Sequence, residues 1–312
     1  RALPSGKVRE TDAIWALLVS LAPTKRPVAG YMVPRSFAQS VGRGQGRGDD
    51  QIRLRVYGTH FGLRQAVCVS HYPPEFRGPV MSEPQYLNTP QGRRIGYHRS
   101  EGAGPWLVFL GGLKSDMEGT KAIHLEAWAR ARGQAFLRFD YSGHGVSSGT
   151  FETGCIGDWA EDTFAAIDAL TEGKVVLVGS SMGGWQSLLF ARDHTDRMAG
   201  LVTIAAAPDF TEDGYWASFS DSQKAELEAD GQIELSSDYM EPYIITKRLI
   251  EDGRNQLVMR SPLDLPFPVR MLQGTADTAV STDCAVRLQE HASSPDMRLT
   301  LIKDADHRFS DG

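Results

Sequence analysis

The sequence predicts an α/β fold: a mainly parallel central sheet flanked by helices, with a small helical cap. Three observations carry that expectation. Strand-like runs alternate with helical patterns from residue 106 onward, the order that builds a parallel sheet. The runs are continuously apolar, as in Trp106-Leu107-Val108-Phe109-Leu110, which fits strands covered on both faces. And Gly179-Ser180-Ser181-Met182-Gly183 fits the pattern G-x-S-x-G between a β-type run at 174–178 and a helical stretch at 184–192.

The elements follow in order. Arg94-Ile95-Gly96-Tyr97-His98-Arg99 suggests an early antiparallel strand, and the 106–110 strand ends at Gly111-Gly112-Leu113. A helical pattern spans roughly 119–132. The strand Ala135-Phe136-Leu137-Arg138-Phe139 closes in Asp140-Tyr141-Ser142-Gly143-His144-Gly145, and a helix over roughly 158–171 follows. After the G-x-S-x-G strand and helix comes Leu201-Val202-Thr203-Ile204-Ala205. The alternation then breaks: residues 208–266 are far longer than an ordinary connection and read as a cap. Helical pieces are expected there near 223–229 and 240–252, and the aromatics Phe210, Tyr215, Trp216 and Phe219 either line a pocket or hold the cap together. The sheet resumes at Val269-Arg270-Met271-Leu272-Gln273, then a helix over roughly 281–292 and a last strand at 298–302.

Charge divides the chain. Of 33 Lys+Arg and 39 Asp+Glu, residues 1–80 carry 12 and 5, a net of +7, whereas residues 81–312 carry 21 and 34, a net of −13. The acidic part argues against a nucleic-acid surface. Residues 1–80 are expected to be a disordered extension or read-through ahead of a natural start at Met81, and residues 81–312 the folded domain. A signal peptide at 13–22 is disfavoured by Glu10 and Asp12 just before it. A transit peptide is a further alternative, and the glycine–arginine run at 42–48 reads as a flexible linker more readily than as an RNA contact. Three widely spaced cysteines, Cys68, Cys155 and Cys284, show neither metal spacing nor a disulfide framework and suggest a reducing compartment. The expected location is cytoplasmic, or mitochondrial if residues 1–80 include a transit peptide. No apolar run approaches the length of a membrane span.

A serine hydroxyl needs a neighbouring base, and the base needs an orienting acid. On an α/β-hydrolase sheet the chain order is serine, acid, histidine. Ser181, Asp277 and His307 supply that order, each just past a strand. His144 and His124 are the rival bases, and Asp209, Asp304 and Asp306 the rival acids. Asp140 reads as an anchor of its own turn. Two backbone N–H groups are needed for an oxyanion, and Met182 and Leu113 are the candidates. Neither a metal cluster nor a cofactor fingerprint is present, so no metal or cofactor is expected.

Taken together, Gly119-Thr120-Lys121-Ala122, Arg138-Phe139-Asp140-Tyr141-Ser142-Gly143, Gly179-Ser180-Ser181-Met182-Gly183-Gly184-Trp185 and Asp306-His307-Arg308 resemble one family. It is the group of α/β-hydrolases that includes mitochondrial palmitoyl-protein thioesterase and acyl-glucuronide esterase, with bacterial relatives. The similarity spans roughly residues 93–309. It implies an α/β-hydrolase fold, Ser181, Asp277 and His307 as the triad, and acyl esters or thioesters as substrates, acylated proteins among them. The family domain ordinarily continues into a last helix, which this chain is expected to lack. The competing functions are amide, peptide or C–C bond cleavage by the same triad, and a non-catalytic binding protein on the same fold. Oligomeric state is not legible.

Overall fold

A computed structural model describes residues 83–235 and 242–309. The expectations for residues 1–80 lie outside that range. In chain order, β1 (Gln85–Asn88) and β2 (Arg94–Ser100) precede β3 (Ala103–Leu110), α1 (Thr120–Ala131) and β4 (Gln134–Phe139). Next come α2 (Ile156–Leu170), β5 (Val175–Ser180), α3 (Met182–Asp193) and β6 (Met198–Ile204). The cap holds a π-helix (Phe210–Trp216), α4 (Asp221–Asp230), β7 (Gln232–Leu235), β8 (Tyr243–Thr246) and α5 (Lys247–Asn255). The chain continues through β9 (Leu263–Asp264), β10 (Val269–Gly274), α6 (Thr282–His291), β11 (Ala292–Ser293) and β12 (Met297–Ile302).

Eight strands form the central sheet in the order β1-β2-β4-β3-β5-β6-β10-β12. β2 pairs antiparallel with both β1 and β4, and the remaining pairs are parallel. The continuous apolar runs have a direct cause. Side chains alternate across a strand, so Val108, Leu110, Leu137 and Leu177 enter one core with residues of α2 and α3. Leu107, Phe109, Phe136 and Val178 enter a second core with Ala122, Leu125 and Ala129 of α1. Both faces of the central strands are therefore buried, and the few polar side chains there, such as Arg138 of β4 and Gln273 of β10, are hydrogen-bonded.

The cap is bolted to α2 and α3 by polar contacts. The indole N–H of Trp185 donates to the Gln256 carbonyl (3.0 Å), and the Gly157 N–H to Asp252 Oδ2 (2.6 Å). Asp209 is fully buried, and its carboxylate accepts the N–H groups of Val258 (2.8 Å) and Met259 (3.0 Å). The cap aromatics meet α3 and one another: Trp185 of α3 lies edge-on to Phe210, Phe210 edge-on to Tyr215, and Tyr215 stacks on Phe219.

One expected cap element differs. The helix expected over 240–252 begins later, at Lys247, because Tyr243-Ile244-Ile245-Thr246 pairs with β7 as a hairpin. That run is β-branched and aromatic, which suits a strand better than a helix. Thr246 then caps α5 by accepting the Leu249 N–H (3.1 Å).

Candidate active site

Parallel strands bring their carboxyl ends to one edge of the sheet, where open α/β folds carry their sites. Ser181 is the first residue after β5 and the N-cap of α3, with φ 55° and ψ −119°. A residue with a side chain adopts such a backbone only when its surroundings impose it, at a cost of order 1–3 kcal/mol. Here the Ser181 N–H donates to the Ile204 carbonyl (2.9 Å), and its carbonyl accepts the N–H groups of Gly184 (2.9 Å) and Ala207 (3.1 Å). The flanking glycines are steric necessities. A Cβ on Gly179 would strike the Gly183 carbonyl and the Ser187 hydroxyl, and one on Gly183 would strike the Leu110 carbonyl.

His307 follows β12 and meets both partners. Its Nε2 is 3.0 Å from Ser181 Oγ, and its Nδ1 is 2.8 Å from Asp277 Oδ2. An ionised carboxylate only accepts, so Nδ1 carries the proton and Nε2 is free to accept from the serine hydroxyl. The loops after β10 and β12 are zipped together to hold this contact. The Thr275 N–H donates to the Ile302 carbonyl (2.9 Å) and the Ala276 N–H to the Ala305 carbonyl (3.0 Å). Fully buried Phe309 anchors the end of the segment.

The Asp277 carboxylate is wholly shielded from solvent, while the His307 side chain is 26% exposed. Burial opposes its charge, but hydrogen bonds from His307, the Val280 N–H and Gln273 outweigh it and hold the carboxyl below its usual value. Oδ1 accepts the Ala279 (2.9 Å) and Val280 (2.8 Å) N–H groups, so Asp277 shapes its turn as well as facing His307. Gln273 donates to Oδ2 (3.0 Å), a contact that sequence reasoning missed. The available signal was a polar residue at the end of the apolar β10 run.

The rivals lie elsewhere. Asp209 holds the cap segment, and Asp306 accepts the N–H groups of Arg308 (2.9 Å) and Phe309 (3.2 Å). His124 sits on α1 facing the Thr120 carbonyl (2.8 Å). His144 is buried in the loop after β4 and faces Lys114 N and Ser142 O, not Ser181. Asp140 anchors its turn as expected, accepting the N–H groups of Met117 (2.6 Å) and Val146 (2.9 Å).

Met182 follows Ser181 in the chain, and Leu113 follows Gly112 in the loop after β3. Met182 opens α3, whose first N–H groups have no partner within the helix. The loop after β3 packs directly on Ser181: a Cβ built on Gly112 would lie 3.3 Å from the Ser181 Cβ. Among the described residues, the N–H groups of Leu113 and Met182 donate to no protein acceptor. Also among the described residues, no group of three or more His, Cys, Asp or Glu is placed to hold a metal ion, and no helix is long and apolar enough to cross a membrane. The arrangement can move a proton from a serine hydroxyl onto an imidazole whose developing charge meets a buried carboxylate.

Known proteins resemble this chain in sequence and in fold. A family profile described as alpha/beta hydrolase fold matches residues 105–254. The mitochondrial palmitoyl-protein thioesterase ABHD10 of Bos taurus is 34% identical over 72% of this chain and 74% of its own. A putative hydrolase from Agrobacterium vitis superposes with a TM-score of 0.71 at 40% identity, covering 73% of this chain and 93% of its own. Mouse alpha/beta hydrolase domain-containing protein 10 does so with a TM-score of 0.68 at 31% identity, covering 73% and 91%. The expected cytoplasmic location is corrected by these findings, because the ABHD10 relatives carry a mitochondrial assignment in their names.

Proposed function

The chain belongs to the α/β-hydrolase family, and from that premise we propose that it is a serine hydrolase cleaving acyl esters or thioesters. In this reading Ser181 Oγ attacks the acyl carbonyl carbon while His307 Nε2 takes the hydroxyl proton. The carbonyl oxygen becomes an oxyanion and accepts the N–H groups of Met182 and Leu113. Collapse breaks the bond to the alcohol or thiol, which leaves with the proton from His307, and the acyl group stays on Ser181. Water then repeats the sequence: His307 takes its proton, the oxygen attacks the acyl carbon, and the acid departs as Ser181 regains its hydrogen. Asp277 holds the Nδ1–H tautomer and stabilises the imidazolium in both halves.

The observation that carries this reading is the unbroken contact from Asp277 Oδ2 through His307 to Ser181 Oγ, at 2.8 and 3.0 Å. The names of the thioesterase relatives support an acyl thioester, an S-acylated protein included, as one substrate.

Burst kinetics on a panel of activated acyl esters, thioesters and amides test the proposal. The expected result is a burst of one equivalent per chain on esters and thioesters, followed by slower turnover. Faster cleavage of the amides would favour the peptidase alternative. Complete inactivity of folded protein on esters and thioesters would contradict the proposal and leave a binding protein.

A further inference from the structure

His144 was weighed as a base, but its position gives it other work. The ring is 4% exposed and sits edge-on to Tyr141, Phe151 and Trp159, with centroids 5.5, 5.7 and 5.2 Å away. Its Nδ1 lies 3.1 Å from the Ser142 carbonyl oxygen, and its Nε2 lies 3.1 Å from the Lys114 nitrogen. A carbonyl can only accept, so Nδ1 carries the proton. An amide N–H can only donate, so Nε2 is bare. The neutral tautomer is thus set from both ends of the ring.

The loop it touches is the one that follows β3 and packs on Ser181. Lys114 has φ 56°, a left-handed backbone that disfavours any residue with a Cβ and persists only where contacts impose it. Four hydrogen bonds to this loop come from residues 138–144, and the Lys114 ammonium also lies over the Phe151 (4.9 Å) and Tyr243 (5.3 Å) rings. The Tyr141 hydroxyl donates to the Gly111 carbonyl (3.3 Å), and His144 accepts the Lys114 N–H. Further on, Asp140 accepts the Met117 N–H (2.6 Å) and Arg138 donates to the Met117 carbonyl (2.7 Å). Leu113 therefore lies between two clamps, Tyr141 on one side and His144 on the other.

We propose that His144 is a positioning residue for acyl transfer: by accepting the Lys114 N–H it fixes the peptide that follows Leu113 and keeps the Leu113 N–H aimed at the oxyanion beside Ser181. The inference rests on the roles of Ser181 and Leu113 proposed above. Burial pushes the His144 ring below its usual pKa, and the Lys114 charge acts in the same direction against the Ser142 carbonyl, so the ring stays a neutral acceptor. The effect on rate follows from geometry, since small misplacements at a reacting centre cost roughly 10²-fold.

The test compares His144→Gln, His144→Asn and His144→Phe. Glutamine can bring Oε1 to the place of Nε2 and accept the Lys114 N–H. Asparagine reaches only to the place of Nδ1, and phenylalanine offers no acceptor. With active sites counted by burst titration, His144→Gln should keep kcat within roughly 3-fold, whereas the other two should lose roughly 10–100-fold with KM nearly unchanged. Inhibition by a trifluoromethyl ketone, whose serine adduct carries an oxyanion, should weaken in parallel with kcat. A merely structural role would lower Tm or the number of titrated sites and leave kcat per site alone, and that result would overturn the proposal. Equal losses in the glutamine and asparagine variants would also overturn it, and this pair suffices should the phenylalanine variant not fold. Absence of any burst in the wild-type protein would instead overturn the proposed function on which the inference rests.

Discussion

His307 Nε2 lies 3.0 Å from Ser181 Oγ although 126 residues separate them. Two different parts of the fold create that contact. Ser181 is held by its strained turn between β5 and α3, and His307 by the zipped loops after β10 and β12. Backbone hydrogen bonds hold both segments, so single side-chain substitutions at the site should remove chemistry and leave the fold standing.

Asp277→Asn tests the acid. An asparagine that donates its amide to Nδ1 would favour the wrong tautomer, leaving Nε2 protonated and unable to accept from Ser181. The expected loss in kcat is about 10⁴-fold, with far-ultraviolet circular dichroism unchanged. Stability supplies a second readout. The Asp277 carboxyl is depressed in the folded state, so its contribution is present above its unfolded pKa and is lost as pH falls through the lower folded value. Wild type should therefore exceed the variant in unfolding free energy at neutral pH, and the gap should close below about pH 4, the ordinary carboxyl range. A gap that is constant with pH would contradict this account.

Asp209→Ala tests how the cap is fastened. The substitution leaves the N–H groups of Val258 and Met259 without their acceptor. Val258 is buried and Met259 half-buried; a buried donor left unpaired costs roughly 1–3 kcal/mol, and each kcal/mol lowers Tm by roughly 2–4 °C in a domain of this size. Thermal unfolding should show the drop. An unchanged Tm would mean that the 258–259 segment is held by something else.

Cys155 should be inert in the native protein. It is 2% exposed, and burial together with the nearby Asp252 and Asp158 charges pushes its thiol up to about 12 against a backbone hydrogen bond. Roughly one thiol in 10⁴ is then ionised at pH 8, and the thiolate is the reactive form. Iodoacetamide at pH 8 followed by peptide mapping should leave Cys155 unmodified, and unfolding in guanidinium should expose it. Rapid native labelling would show that the cap–α2 junction opens.

Much of this was legible in the sequence, for physical reasons that differ by residue. The strand from Trp106 to Leu110 could be read because both its faces are buried, which leaves an unbroken apolar signal. Ser181 could be read because a tight strand-to-helix turn admits almost nothing but glycine at Gly179 and Gly183. The positions of Asp277 and His307 just past strands could be read, whereas their 2.8 Å contact is made by the folded sheet. The hairpin of Gln232–Leu235 with Tyr243–Thr246 could not, since each strand is four residues long and exists only through its partner. β1 is similarly short and mostly exposed, with no periodicity to announce it. The work of Gln273 and His144 was hidden for a further reason. Their partners, Asp277 Oδ2 and the Lys114 N–H, are set by folded geometry, and a backbone N–H leaves no mark in a sequence.

The most direct test of the central claim is covalent labelling with a fluorophosphonate, followed by peptide mapping of wild type and Ser181→Ala. The account predicts stoichiometric modification at Ser181, none in the variant, and a fall in ester turnover of roughly 10⁶-fold. Labelling at another serine, or turnover retained by Ser181→Ala, would contradict it.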